Sequence, residues 1–333
     1  MAETSQAPWE TKAEACRKIL KDSLNPQWLL PEDQLPPKSQ LNVANFIETC
    51  GLLTPGELEI TSSTATELTK QVAEGKLTAV ETVTAFLKRS HVAHQLVNFA
   101  TEFMVEDALV AAAELDKHFQ ATGKLVGPLH GVPISAKEHL AFKGRISHSG
   151  YVAWTDNVVE EDALVIRLAK AAGAVFHVRT NEPQSVMKTV LDQEPWEEET
   201  SLVPLPWKSI EPYQSGSFTV GVIWDDGIVH PHPPVTRALR HAVEKLKAAG
   251  IKVVDFEPYN HKEGAEVINT LYFPDAAATL REILKEGGEP VADLTEWAFS
   301  YSKLEPLSIR VPRLQPLAST GSQRDYLRPA GTY

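Results

Sequence analysis

Twice in this chain a helical pattern runs into Ala-Ala-Gly and straight on into an apolar run. Asp162 to Ala172 has the helical period, stops at Gly173 and leads into Ala174-Val-Phe-His-Val178. Arg237 to Ala249 repeats the order, stopping at Gly250 before Ile251-Lys-Val-Val254. Glycine lets a helix end in the left-handed conformation without a Cβ penalty. The β-branched run that follows fits a pleated, buried surface. A helix feeding a strand in this way is a unit of an α/β fold. Phe218 to Trp224 is another buried-strand candidate. Strands alternating with helices favour a mostly parallel or mixed sheet covered by helices on both faces.

The remaining elements fit round that frame. Thr78 and Glu81, three apart, predict a capping box for a helix whose Val80, Val83 and Leu87 share one apolar face. A second helix puts Val105, Leu109, Ala112, Leu115 and Phe119 on one stripe, with Gly123 as its stop. Trp9 to Leu24 reads as a short helix, after which Pro26, Pro31, Pro36 and Pro37 break regular structure. Residues 1–59 are therefore expected to be a helix and an extended arm, and 60–307 the body. Residues 308–333, rich in Arg, Pro, Ser and Gly with no apolar period, read as a loose tail.

Composition removes several function classes. The formal charge is −12 over 333 residues, which speaks against nucleic acid or an anionic membrane as a partner. No stretch nears ~18 consecutive apolar residues, and Met1 to Lys21 has no apolar signal core. Cys16 and Cys50 cannot build a disulfide framework and read as reduced thiols of a cytoplasmic protein. Gly-x-Gly-x-x-Gly, Walker and Gly-x-Ser-x-Gly patterns are absent. His230-Pro-His232 would share a face of a strand and could hold zinc. Prolines crowd that pair and no carboxylate or cysteine pair is read beside it, so a structural loop is expected. His130, His139 and His148 lack ligand spacing, and Glu197-Glu-Glu199 reads as a solvated loop.

The densest chemical signal is Gly127-Pro-Leu-His-Gly-Val-Pro-Ile-Ser-Ala-Lys137. Its glycines and prolines fix a turn, and a short β-like run ends in a lysine. Burial of an ammonium disfavours its charged form and lowers its pKa, as a general base near neutrality requires. On spacing alone the pattern fits better a turn and strand with a lysine at the surface.

The run resembles the lysine motif of the amidase signature family, closest to its fungal acetamidase-like branch. Asn45 to Thr54 is similar to that branch's lead-in, and Gly75 to Thr82 with His94 to Glu102 to its first body helices. Thr180 to Gln184, Trp224 to Gly227 and His230 to Thr236 are similar to later stretches, so the likeness covers most of 10–309. The resemblance implies a mixed sheet covered by helices, of amidase signature type. It implies hydrolysis of small carboxylic amides to acid and ammonia, without metal or organic cofactor. The family does this with a nucleophilic serine, a second serine on a cis peptide, and a lysine, here Lys137. Lys137 would take a proton through the bridging serine while the other serine attacks the carbonyl. Backbone N–H groups of a glycine-rich loop would hold the oxyanion.

The chain departs from the family where those serines belong. A Gly-Gly-Ser-Ser-Gly-Gly type loop should follow Thr180-Asn181, yet the 42 residues from Ala174 to Ser215 contain no glycine. Pro183-Gln-Ser-Val-Met187 runs directly into Lys188-Thr-Val-Leu-Asp-Gln-Glu-Pro-Trp196, two pieces that the family separates by a long segment. An internal deletion at 187/188 and an incomplete fold are therefore expected. Ser185, Ser215 and Ser217 lie in no glycine-rich turn. Ser135 would share a strand face with Lys137, but the family does not use it as nucleophile. From Ile309 onward the likeness stops as well.

Two functions are in view. One is a working amidase, with a tailoring amidase of a fungal biosynthetic pathway as a variant. The other, expected for the chain as it stands, is a non-catalytic product of that ancestry: a pseudoenzyme, a splice product or an incomplete gene model. Such a chain could pair with a second copy or with a full-length amidase. Loss of a segment from one cooperative core also predicts marginal solubility and apolar surface exposed near 187/188.

Overall fold

A computed structural model describes residues 7–180, 187–207, 218–273 and 275–300. The chain divides into two units, 1–207 with 284–289, and 208–283 with 290–333. The tail at 308–333 and the serines at 185, 215 and 217 lie outside the described residues.

The first unit opens with α1 (Pro8–Ser23), α2 (Phe46–Thr49), α3 (Pro55–Ser62) and α4 (Ala65–Ala73). It continues with α5 (Ala79–Val97), β1 (Ala100–Phe103), α6 (Val105–Thr122) and β2 (Pro133–Lys137). Then come α7 (Leu164–Ala171), β3 (Val175–Thr180) and α8 (Met187–Leu191). The capping box at Thr78 is formed: Glu81 N donates to Thr78 Oγ1 at 3.0 Å, and Thr78 N donates to Glu81 Oε2 at 2.8 Å. Thr54 with Glu57 and Thr64 with Glu67 start α3 and α4 by the same device. Gly123 and Gly173 end α6 and α7 at φ of 65° and 91°.

β3 is the centre of the sheet, with β2 parallel on one side and β1 antiparallel on the other. Ile134, Ala136 and Phe176 pack with Ile166 and Ala169 of α7. Val175 and Val178 pack with Val83 and Leu87 of α5 and with Ala108 and Ala112 of α6. Helices therefore cover both faces of a mixed sheet, as expected. Burying a side chain such as Leu87 or Ile166 stabilises the fold by about 2 kcal/mol.

One expectation changes in this unit. His94 to Glu102 is not one helix: α5 stops at Val97, Asn98 turns left-handed at φ 49°, and β1 runs back beside β3. Asparagine tolerates that conformation better than most residues, and Ala100 N finds His94 Nδ1 at 3.2 Å. The N-terminal arm is fastened to the body. Asn25 N donates to His91 Nε2 at 3.0 Å, Leu30 exchanges two 2.9 Å hydrogen bonds with Gln95, and Phe103 N donates to Ser23 Oγ at 3.0 Å.

In the second unit β4 (Thr219–Val222) and β5 (Lys252–Asp255) pair in parallel, linked through α9 (Pro233–Ala248). α9 starts earlier than its apolar period predicts because Pro233 and Pro234 occupy the first turn, where a missing N–H costs nothing. Gly250, at φ 77°, carries the chain from α9 to β5. α10 (His261–Tyr272), α11 (Ala278–Gly287, of which 284–287 belong to the first unit) and α12 (Asp293–Phe299) complete it. Arg281 grips Glu296 through two hydrogen bonds of 2.7 and 2.8 Å and lies over the Phe299 ring. Among the described residues no helix is long and apolar enough to cross a membrane.

Candidate active site

Lys137 closes β2, its Cα opposite that of Thr180 at the end of β3. Ile134 and Ala136 turn into the core, while Ser135 and Lys137 are half-buried. That alternation gives Ser135 and Lys137 a common face, as the strand period predicts. Among the described residues neither Lys137 Nζ nor Ser135 Oγ makes a hydrogen bond, and Lys137 Nζ makes no ion pair.

The turn before β2 is held by its glycines. A Cβ on Gly127 would stand 2.7 Å from Ala172 O, and one on Gly131, at φ 74°, 2.9 Å from Ala79 Cβ. Gly173, at φ 91°, leaves a Cβ only 2.7 Å from His130 Cα. The turn, the start of α5 and the end of α7 thus meet at backbone distance, which places β2. His130 is buried at this junction and accepts from Val126 N at 3.0 Å, so it is a packing residue, and burial lowers its pKa.

The residue after Lys137 is fixed by buried charge. Glu138 accepts from His148 N at 2.8 Å and Ser149 N at 2.9 Å. Its N–H donates to Thr180 O at 2.9 Å. The buried Arg179 of β3 donates to Ile146 O at 2.7 Å and to Glu138 O, with Glu102 Oε2 at 3.4 Å and Glu138 Oε1 at 3.6 Å. Arg145 binds both Glu102 and Asp107. Single-sequence reasoning missed this network, because a charged residue reads as surface until its partner is known. The available hint was Arg179 inside an otherwise apolar strand.

The other candidates do not converge on Lys137. His139 is exposed, and His148 Nε2 lies 3.7 Å from Glu138 Oε1. His230 is exposed and has a carboxylate beside it after all: Asp225 Oδ2 lies 2.6 Å from its Nδ1. That aspartate lies five residues upstream, outside the proline-flanked His-Pro-His stretch. Among the described residues no group of three or more His, Cys, Asp or Glu is placed to hold a metal ion.

A family model described as Amidase matches residues 81–195 and 185–331. The second match carries on past Ser308, where the motif likeness had ended. The putative amidase C550.07 of Schizosaccharomyces pombe is 30% identical, over 83% of this chain and 71% of that protein. The acetamidase of Emericella nidulans is 27% identical, over 85% and 70%. That first alignment extends over 379 residues while using 83% of a 333-residue chain, so the relative carries residues without counterpart here. A solved fatty acid amide hydrolase superposes with a TM-score of 0.83 at 28% identity, covering 91% of this chain and 72% of its own. Motifs, fold and relatives agree, and the chain belongs to the amidase signature family, in its acetamidase-like branch.

Proposed function

We propose that this chain descends from a hydrolase of small carboxylic amides and, as it stands, does not turn them over. The observation that carries the proposal is the glycine-free run from Ala174 to Ser215 in the place of the serine loop. A lysine base acts by taking a proton from a nucleophile within about 2.6–3.2 Å. Without that nucleophile, catalysis falls to what binding and oxyanion contacts alone supply. With the glycine-rich loop also missing, the oxyanion contacts go too.

Two further facts support a deletion at 187/188. The matched pieces of the family model meet and overlap at 185–195. Met187 is exposed, as are Leu202, Val203, Leu205 and Trp207 soon after it. Those side chains are the apolar surface that a lost segment would leave behind.

The name of the Emericella nidulans relative points to acetamide as the substrate to try. Purified protein is expected to release no more ammonia from acetamide than its Lys137→Ala variant. Turnover that disappears in Lys137→Ala would overturn the proposal and favour a working amidase, in which another serine has taken the nucleophile's place. Labelling of one serine by a fluorophosphonate probe, together with loss of that turnover, would identify it. Transcript sequencing across the Met187 and Lys188 codons separates the origins: skipped coding sequence means a splice or gene-model product, and continuous coding a true pseudoenzyme. A pseudoenzyme of this kind would act by pairing, with a second copy or with an intact amidase.

A further inference from the structure

The second unit carries a cavity of about 570 Å³ that no step of serine–lysine hydrolysis uses. Arg237, Arg240, His241 and Glu244 line it from α9, and His230 and Pro231 from the loop before the helix. The four helix residues follow the spacing i, i+3, i+4, i+7 and so share one side of α9. Two arginines and two histidines thus meet one acid, in a chain whose formal charge is −12.

The two arginines stand apart from the others. The described residues include eight arginines, and six of them bind a carboxylate or a hydroxyl. The remaining two are Arg237 and Arg240, which make no ion pair and no side-chain hydrogen bond among the described residues, and both line this cavity. Like charges one turn apart on a helix repel each other, and Glu244, one turn beyond Arg240, forms no ion pair with either.

The helix start is not what makes the site. Pro233 and Pro234 have no N–H, and Val235 N and Thr236 N donate to His232 O at 2.9 and 3.1 Å. Donors for a ligand come from side chains, the two guanidiniums above all. His230 is held in place: its Nδ1 donates to Asp225 Oδ2 at 2.6 Å, while Gly227 N donates to Asp225 Oδ1 at 2.8 Å. The Gly227 N–H first and His230 second keep the Asp225 carboxyl below its usual range, so it stays an acceptor. Nε2 is then the His230 nitrogen left for a ligand.

Charge and shape select the occupant. An unpaired guanidinium offers a planar fork of N–H donors that matches phosphate oxygens two at a time. A phosphate monoester has three terminal oxygens, enough for two arginines and a ring, where a carboxylate has two. Its second proton leaves near pH 6, where histidine also titrates, so ester and imidazole share a proton that a sulfate ester does not have. A water takes about 30 Å³ of liquid, so the cavity has room for more than a phosphoryl group. Pro231 and Pro233 give the organic part a stiff apolar wall.

We infer that this cavity binds a small phosphate monoester, its phosphoryl oxygens on Arg237 and Arg240 and its organic group against Pro231 and Pro233. Binding is reversible, breaks no bond, and is independent of whether Lys137 serves any reaction.

Phenyl phosphate is the probe, titrated calorimetrically into the full chain at low salt. Saturable one-to-one binding is expected, weakened by added sodium chloride as the charges are screened. Arg237→Gln and Arg240→Gln should each weaken it by about tenfold or more. Arg240→Lys should weaken it as well, since it keeps the charge and loses the fork. Lys245→Gln, on the same helix but outside the cavity, should leave the affinity unchanged. Unchanged circular dichroism spectra confirm that the variants are folded. Phenyl sulfate and benzoate should bind about tenfold more weakly. Phosphatidylcholine vesicles containing phosphatidic acid present the same phosphoryl chemistry and should not sediment the protein, because its −12 charge opposes an anionic surface. Absence of saturable binding, equal affinity for phenyl sulfate, undiminished binding in either glutamine variant or in Arg240→Lys, or an equal loss in Lys245→Gln would each overturn the inference. So would vesicles capturing the protein in place of free phenyl phosphate.

Discussion

β3 and β5 are each entered from a helix through an Ala-Ala-Gly turn, yet all six residues of β3 are buried and none of the four in β5 is. β3 has a strand on either side and helices on both faces of its sheet. Among the described residues β5 has one strand beside it, β4, of which only Val222 is buried. The local chemistry that makes a helix end and a strand begin is the same in both. Burial is decided by elements far away in sequence, and among the described residues the second unit holds fewer of them. The difference predicts that stability and sensitivity to mutation concentrate in the first unit.

The largest effect is expected at Arg179. Arg179→Met would leave Glu102 and Glu138 buried without their central partner. Removing one member of a buried ion network costs about 3–5 kcal/mol, a large share of the ~5–15 kcal/mol that holds a domain. Urea denaturation followed by tryptophan fluorescence should show the midpoint collapse. A loss under 1 kcal/mol would mean the network is solvated in solution, and the contrast between the units would weaken.

Next comes acid. His177 of β3 donates from Nδ1 to Ile134 O at 3.1 Å, leaving Nε2 to accept from Ser90 Oγ at 3.2 Å. Burial pushes its pKa down to about 4, from 6.5 for the free side chain. The unfolded chain therefore takes up a proton that the folded chain refuses as pH falls below 6.5, and stability falls with it. Between pH 7 and pH 5 the loss is about 2 kcal/mol, at 1.36 kcal/mol per unit of pKa difference. His91 and His94, also lowered by burial, act in the same direction. Urea midpoints at the two pH values measure the slope, and His177→Asn, which keeps a donor for Ile134 O, should flatten it. An unchanged slope in that variant would assign the acid sensitivity elsewhere.

The pattern of success in reading the sequence follows the same division between local and distant causes. The capping box at Thr78, the stops at Gly123, Gly173 and Gly250, and the apolar faces of α5 and α6 were legible, because each is set by residues within a turn or two. β1 was not, since four residues carry too little period and its partner β3 lies some eighty residues on. The Glu102–Arg179 pair spans 77 positions and gives no local signal. Of the site, Lys137 could be placed at a strand end from its own neighbourhood, but its role came from family resemblance. The charge that anchors its neighbour Glu138 became visible only in three dimensions.

A smaller effect tests whether local signals also carry energy. Thr78→Ala removes the side-chain acceptor for Glu81 N at the head of α5. Loss of such a cap costs about 1 kcal/mol, since α5 is packed along the central sheet and cannot fray freely. The denaturant midpoint should shift by that amount with its slope unchanged. No shift would mean that packing alone fixes the start of α5.

The smallest stability effect, and the sharpest test of the contrast, is expected on α10. Val267, Ile268, Leu271 and Tyr272 are 48, 54, 49 and 72% exposed and fall on one side of the helix. In a well-covered unit such a stripe would be core, and polar substitution would cost several kcal/mol. Here the side chains are already in water, so Ile268→Thr should change stability by no more than about 0.5 kcal/mol. Exposed apolar stripes drive association, so the same substitution should reduce self-association, measured by light scattering at rising protein concentration. A destabilisation above 1 kcal/mol would show that Ile268 is buried in solution and that the second unit has a core of its own.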